Sequence, residues 1–255
     1  MGEIEQTIRA TLTQIETQRD VRILHAVESG SRAWGFASPD SDYDVRFIYV
    51  GALASYLSLG WSRDVIEWQL DAVYDVNGWD LAKALRLLHD SNPVLFEWRD
   101  SPIVYTTRPE WAVVDAVFER YFQPKKAMHH YLSMAHRNIV AYLAAEQVKL
   151  KKYFYCIRPL LAAEWIRRFS SPPPTAFGRL VDAVLPSSVR SPLNDLLAIK
   201  AETSELGEAP HIPVLDAFIR DEYDRLQVVA ETMPPRRGEG WQPLDAVFRS
   251  LVLGT

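Results

Sequence analysis

At 255 residues with 48% hydrophobic content, the chain can bury a sizeable core in one or two domains. Its single cysteine, Cys156, excludes an internal disulfide framework and fits a reducing, cytoplasmic compartment. A net charge of −5 argues against a uniformly basic nucleic-acid-binding protein, and no apolar run approaches the length of a membrane span.

In chain order, MGEIEQTIRATLTQIETQRD has the polar pattern of an amphipathic helix over 3–19, without the apolar core of a signal peptide. Strands are predicted at 21–28 and 43–50, with a short helical turn at 31–36 between them. SYLSL forms one helical turn, and RDVIEWQL (63–70) alternates again as a third strand, extendable to Val76. Asn77, with Asp80 three residues on, reads as the cap of a helix through DLAKALRLLHD. NPVLFEWRD follows as a second short helix, and 103–106 as a fourth strand. From about 110 the pattern is helical, over 110–122, 125–157, 159–169, 176–184, 191–205 and 212–232. PPP at 172–174 and PP at 234–235 are breaks.

One stretch carries chemistry. Residues 28–48 read ESGSRAWGFASPDSDYDVRFI, an apolar strand ending in a Gly-Ser turn, then a linker, then a strand that opens on two aspartates. Strand alternation points Asp42 and Asp44 one way and Val45, Phe47 and Tyr49 the other. Two adjacent carboxylates call for a cation, and hard oxygen ligands suit Mg2+, which completes its shell with water and substrate phosphates. The backbone N–H groups at Gly30 and Ser31 could hold phosphate oxygens, with Arg32 as a further phosphate contact. A DxD pair alone is weak, since SPDSD is also turn chemistry; the ordered combination of turn and acids is what raises it.

The string GSRAWGFASPDSDYDV resembles the Gly-Ser and DxD signature of the DNA-polymerase-β-like nucleotidyltransferase superfamily. Residues 28–49, DVNGWDL (75–81), SNPVLFEWRDSPIVY (91–105) and KKYFYCIRPLL (151–161) are similar to its RNA-ligase-associated, RlaP-type branch. The resemblance implies an α+β fold: a polymerase-β-like catalytic domain, with a short mixed sheet flanked by helices, over residues 1–108. A mostly helical domain, 109–255, would follow and complete the nucleotide site. It also implies two Mg2+ or Mn2+ ions, and transfer of a nucleoside monophosphate from a nucleoside triphosphate to an acceptor hydroxyl.

Such a site draws a third acid from a neighbouring strand. Glu67, Asp71 and Asp75 share one strand parity, opposite the apolar Ile66, Trp68, Leu70, Ala72, Tyr74 and Val76, while LGWSRDVI would select Asp64. A third strand parallel to the second favours Glu67, and an antiparallel one favours Asp71 or Asp75; Glu67 is the expectation taken forward. Asp75 has a competing role at a helix start. Arg46, on the face of the two aspartates, either meets a phosphate or pairs with an acid.

Charge is unevenly spread. Residues 120–168 hold ten Lys or Arg against two acids, Glu146 and Glu164, a net of +8 that leaves −13 for the rest. Such a basic half could neutralise phosphates beyond the metal's reach. Leu150, Phe154, Ile157, Leu161 and Trp165 form a core stripe, with Lys151, Lys152, Tyr155 and Arg158 as nucleotide contacts beside it. Pro159 predicts a break that presents Arg158 at a joint. His129, His130 and His136 lack an acid or Cys at ligand spacing and read as structural. Ser29 and Ser31 lack a hydrolase elbow.

These features predict a metal-dependent nucleotidyltransferase with a nucleoside triphosphate as substrate and an RNA end as acceptor. The alternatives are an antitoxin-like protein that nucleotidylates a protein partner, and a non-catalytic nucleotide-binding scaffold.

Overall fold

The structure is a computed structural model that describes residues 2–60, 63–71, 73–202, 207–236 and 238–254. Its first elements are α1 (Glu3–Arg19), β1 (Val21–Glu28), α2 (Gly30–Trp34), β2 (Tyr43–Gly51), α3 (Leu53–Tyr56), β3 (Val65–Leu70) and β4 (Tyr74–Asp80). Next come α4 (Leu81–His89), α5 (Pro93–Arg99), β5 (Val104–Thr107), α6 (Trp111–Asp115), α7 (Phe118–Tyr121), α8 (Pro124–Tyr142) and β6 (Gln147–Lys149). The last are α9 (Lys151–Phe169), α10 (Phe177–Val184), α11 (Ser187–Glu202), β7 (Glu208–Pro210), α12 (Pro213–Thr232) and α13 (Gln242–Leu253). Residues 203–205 and Ala72, included in the sequence expectations, lie outside the described residues. No helix among the described residues is long and apolar enough to cross a membrane.

Two units form. One comprises Met1–Ala33, Asp42–Tyr121 and Gly238–Thr255, and the other Trp34–Ser41 and Phe122–Arg237. This differs from a division at 108 and 109: α6, α7 and the C-terminal α13 go with the sheet, and residues 34–41 go with the helices.

The first unit is α+β, with a mixed five-stranded sheet in the order β3-β4-β2-β1-β5. β1 runs antiparallel to β2 and β5, β4 parallel to β2, and β3 antiparallel to β4. Apolar alternation sets the faces. Ile8, Leu12 and Ile15 of α1 pack on Ile23, Ala26, Val45, Phe47, Tyr49 and Val76, which leaves Asp44, Arg46, Ile48 and Val50 on the opposite face. The run from 63 to 76 is a hairpin, not one strand. Asp71 makes the turn, its Oδ1 accepting the N–H groups of Val73 and Tyr74 at 2.8 Å each. Asp80, not Asn77, caps α4 by accepting from Ala82 N–H at 2.8 Å, while Asn77 stays in β4.

In the helical unit, the expected 125–157 helix is interrupted after Tyr142 by β6, which pairs with β7. The anticipated break at Pro159 does not occur, since α9 passes through it. The proline removes the N–H that would bond the Tyr155 carbonyl four residues back. Asn138 of α8 supplies the missing donor, its Nδ2 lying 2.7 Å from that oxygen. Phe36 anchors the 34–41 segment, its ring centroid 5.1 Å from Phe154 and 5.3 Å from Phe177. Glu164, 2% exposed, gathers Arg167, Arg168 and Arg225 at 2.6–2.8 Å. Burial opposes its charge, but the hydrogen bonds from Arg167, Arg225 and Arg168 outweigh it and hold the carboxyl down at about 2.

Two stability measurements follow from these contacts. Asn138→Leu orphans the Tyr155 carbonyl and should destabilise by about 1–3 kcal/mol in urea unfolding; adding Pro159→Ala restores a helical donor and should recover most of the loss. For Glu164 the folded pKa is depressed, so its contribution is complete above the ordinary value of 4.5 and is lost as pH falls through about 2. Wild type should exceed Glu164→Gln by about 1–3 kcal/mol at neutral pH, with the gap narrowing as pH drops below 4.5. A gap that is constant with pH would assign the loss to packing instead.

Candidate functional site

Where β1 ends, the chain turns at Gly30, whose φ of +59° a side chain would strain. A Cβ there would stand 2.0 Å from Asp44 Oδ2, so glycine is what lets the Asp44 carboxylate lie against the turn. Ser29 N–H donates to the Asp44 carbonyl at 2.8 Å, which ties the turn to the start of β2. Ser31 is buried in α2. Arg32 donates from Nε to the Asp42 carbonyl at 2.9 Å and lies 3.7 Å over the Tyr43 ring, so it braces the approach to β2.

The acids come together through the parallel register, in which Asp44 of β2 is opposite Asp75 of β4. Arg46 bridges them: one guanidinium nitrogen lies 2.9 Å from Asp44 Oδ1 and 2.6 Å from Asp75 Oδ2, and the other donates to the Asp75 carbonyl at 2.7 Å. Asn77 Nδ2 donates to Asp75 Oδ1 at 3.0 Å. Asp42, exposed, sits just before β2. Burial raises the Asp44 pKa; Arg46 pulls it down, and the charges of Asp42 and Asp75 push it up again.

The other acids stand elsewhere. Glu67 lies on the edge strand β3, opposite Asn77, and β4 separates it from β2, a lateral distance of about 10 Å at two strand spacings. Its side chain is 65% exposed and bonds Arg63 at 2.7 Å. Asp64 pairs with Lys83 at 3.2 Å, and its carbonyl accepts from Asp80 N–H, at the far end of β4 from Asp75. Asp71 is spent on its turn.

In the helical unit, Lys151 opens α9, and Lys152 Nζ lies 4.0 Å over the Tyr142 ring and 4.9 Å over that of Tyr155. Arg158 is not at a joint: it is 2% exposed, 4.4 Å over Trp34, and donates to the Thr175 carbonyl at 3.3 Å.

Glu28 is the acid that sequence reasoning passed over. It closes β1 with 1% exposure, accepts the Asp44 N–H at 2.8 Å on Oε1 and bonds the Tyr105 hydroxyl through Oε2. Burial pushes its carboxyl up to about 7 against the pull of those two hydrogen bonds. An acid on core parity would have flagged it, but the irregularity between Ile23 and His25 shifts the alternation, so counting from Val21 puts Glu28 on the wrong face.

The donor chemistry of Asp42, Asp44 and Asp75 suits a hard divalent cation. As the side chains stand, no three His, Cys, Asp or Glu among the described residues are gathered to hold an ion, and Arg46 fills the space between Asp44 and Asp75. Removing one acid should relax its neighbour. In Asp75→Asn, the Asp44 carboxyl should titrate lower than in wild type by carbon-detected NMR, because a like charge is lost and Arg46 is left to Asp44. An unchanged titration would mean that the two do not interact.

A relative, the uncharacterized protein YcgL of Bacillus subtilis (strain 168), is 39% identical over 254 residues, 98% of this chain and 96% of its own length. A solved nucleotidyltransferase-like protein from Exiguobacterium sibiricum 255-15 aligns over 99% of this chain and 80% of that one. It is 11% identical with a TM-score of 0.31, too low to bear on the fold. The model of the RlaP family, described as the RNA repair pathway DNA polymerase beta family, matches residues 4–250. With nearly its whole length matched, and a mixed sheet that brings a Gly-Ser turn against paired strand carboxylates, this chain belongs to the RlaP family of polymerase-β-like nucleotidyltransferases.

Proposed function

We propose that this chain transfers a nucleoside monophosphate from a nucleoside triphosphate to an acceptor hydroxyl, with Asp42, Asp44 and Asp75 as its acidic centre. The supporting observation is the register that sets Asp44 beside Asp75, the only pairing among the weighed acids that reaches β2 directly. In this reading Asp75 takes the place first given to Glu67.

With Arg46 turned away from between Asp44 and Asp75, the three carboxylates would hold two Mg2+ or Mn2+ ions. When bound, such ions neutralise phosphate oxygens and acidify the attacking hydroxyl. Gly30 keeps the Asp44 carboxylate against the turn, and the Gly30 and Ser31 backbone with Arg32 orients the phosphates. The acceptor oxygen bonds the α-phosphorus, the bond to the β-phosphate bridge breaks, and pyrophosphate leaves with the electron pair. The hydroxyl proton passes to a water molecule at the mouth of the site, which keeps the step balanced. Lys151, Lys152 and Tyr155 remain proposed nucleotide contacts on the strength of the KKYFYCIRPLL match. The acceptor we favour is an RNA hydroxyl, in keeping with the family's description.

The test is transfer of α-labelled nucleotide from each triphosphate, with Mg2+ or Mn2+, to RNA, to DNA and to protein in a cell extract. Label is expected in RNA. Asp44→Asn and Asp75→Asn should each lower turnover by about 100-fold or more, with folding unchanged by circular dichroism, while Glu67→Gln stays close to wild type. Loss in Glu67→Gln with retention in Asp75→Asn would reverse the assignment of the third acid, and label confined to polypeptide would replace RNA as the acceptor.

A further inference from the structure

We infer that Glu28 is the positioning residue that holds Asp44 in place for transfer, an inference that rests on the acidic centre proposed above. A strand residue in an antiparallel pair directs its N–H and C=O to the same neighbour. At Asp44 that neighbour is β1, and the carbonyl is met by Ser29 N–H at 2.8 Å. The reciprocal acceptor for Asp44 N–H would be the Ser29 carbonyl. At Gly30 the chain turns away, and the Ser29 carbonyl faces Ala33 N–H instead, at 3.5 Å. Glu28 replaces it with a side-chain oxygen, Oε1, 2.8 Å from the Asp44 nitrogen.

Glu28 is itself held at both its side chain and its main chain. Tyr105 of β5 bonds Oε2. The Glu28 N–H donates to the Ile103 carbonyl at 2.9 Å, and its carbonyl accepts from Ser101 Oγ at 2.6 Å. Thus β5 is braced through Glu28 onto the one residue of β2 whose carboxylate lies against the Gly30 turn. A turn tight enough to hold phosphate breaks the ladder at the residue that most needs fixing, and the buried glutamate repairs it. Glu28 does not touch the reacting atoms; it acts through Asp44.

The expected consequence is a separation of kcat from KM. In Glu28→Ala the Asp44 N–H has no acceptor, and in Glu28→Asp the carboxylate is one methylene too short. Both should lose about 100-fold in kcat, the scale of a misplacement of about 1 Å, with KM for the triphosphate within about threefold of wild type. Glu28→Gln keeps an acceptor oxygen for Asp44, and its amide can donate to the Tyr105 oxygen, so it should restore kcat to within a few-fold. Rates are taken per folded molecule, and Glu28→Asp against Glu28→Gln serves if Glu28→Ala does not fold. A folded Glu28→Asp with wild-type kcat overturns the inference, as does Glu28→Gln as slow as Glu28→Asp. Asp44→Asn separates the two levels: an active Asp44→Asn removes the acidic centre and this inference together, whereas an inactive Asp44→Asn beside a fully active Glu28→Asp removes only the positioning role.

Discussion

Parallel pairing of β2 with β4 sets Asp44 and Asp75 side by side at the entry to both strands. Two carboxylates at one strand spacing repel, and partial burial makes each charge more costly. Arg46, two residues along the same face, relieves the repulsion by reaching both, and Asn77 takes the remaining oxygen of Asp75. The rest of the acidic end follows from this crowding. Gly30 has to be glycine because the Asp44 carboxylate occupies the space of its Cβ, and the turn it allows in turn costs Asp44 a main-chain partner. Charge pairing, backbone conformation and strand register are therefore one constraint seen from three directions.

The β3–β4 hairpin is what makes that register possible. A parallel neighbour needs a crossover, and here β3 together with the Asp71 turn returns the chain so that β4 can lie beside β2. The same hairpin carries Glu67 to the sheet edge, where it pairs with Arg63 near solvent. An exposed pair of that kind contributes little. Asp64 is carried to the opposite end of β4, beside Lys83.

In the helical unit, the excess positive charge is largely engaged. Glu164 takes Arg167 and Arg168 along with Arg225, Lys125 donates to the Glu231 carbonyl, and Arg158 lies over Trp34. A run that reads as +8 is thus in good part internal structure. A buried arginine stacked on an indole packs with its whole planar group, which a count of charges cannot register. Asn138 makes the same point for the backbone: a helix keeps its proline where a neighbour supplies the lost donor.

Local pattern determined a good deal of this protein. Apolar alternation marked β1 and β2 and the opposed faces of Asp44 and Phe47, the Asn92 and Pro93 pair marked the start of α5, and the Gly-Ser turn followed by DxD marked the place where a tight turn meets a strand carboxylate. These are legible because each depends on residues a few positions apart. Which strand lies beside β2, and in which direction, depends on the fold closing on itself, so only the tertiary structure set Asp75 opposite Asp44 and Glu67 opposite Asn77. The irregularity in β1 hid Glu28 by shifting strand parity, the return of α13 to the sheet left no local mark, and the Asn138 rescue of Pro159 joins residues on two separate helices. The sequence by itself determined which acids the strands carry; non-local pairing decided which of them meet.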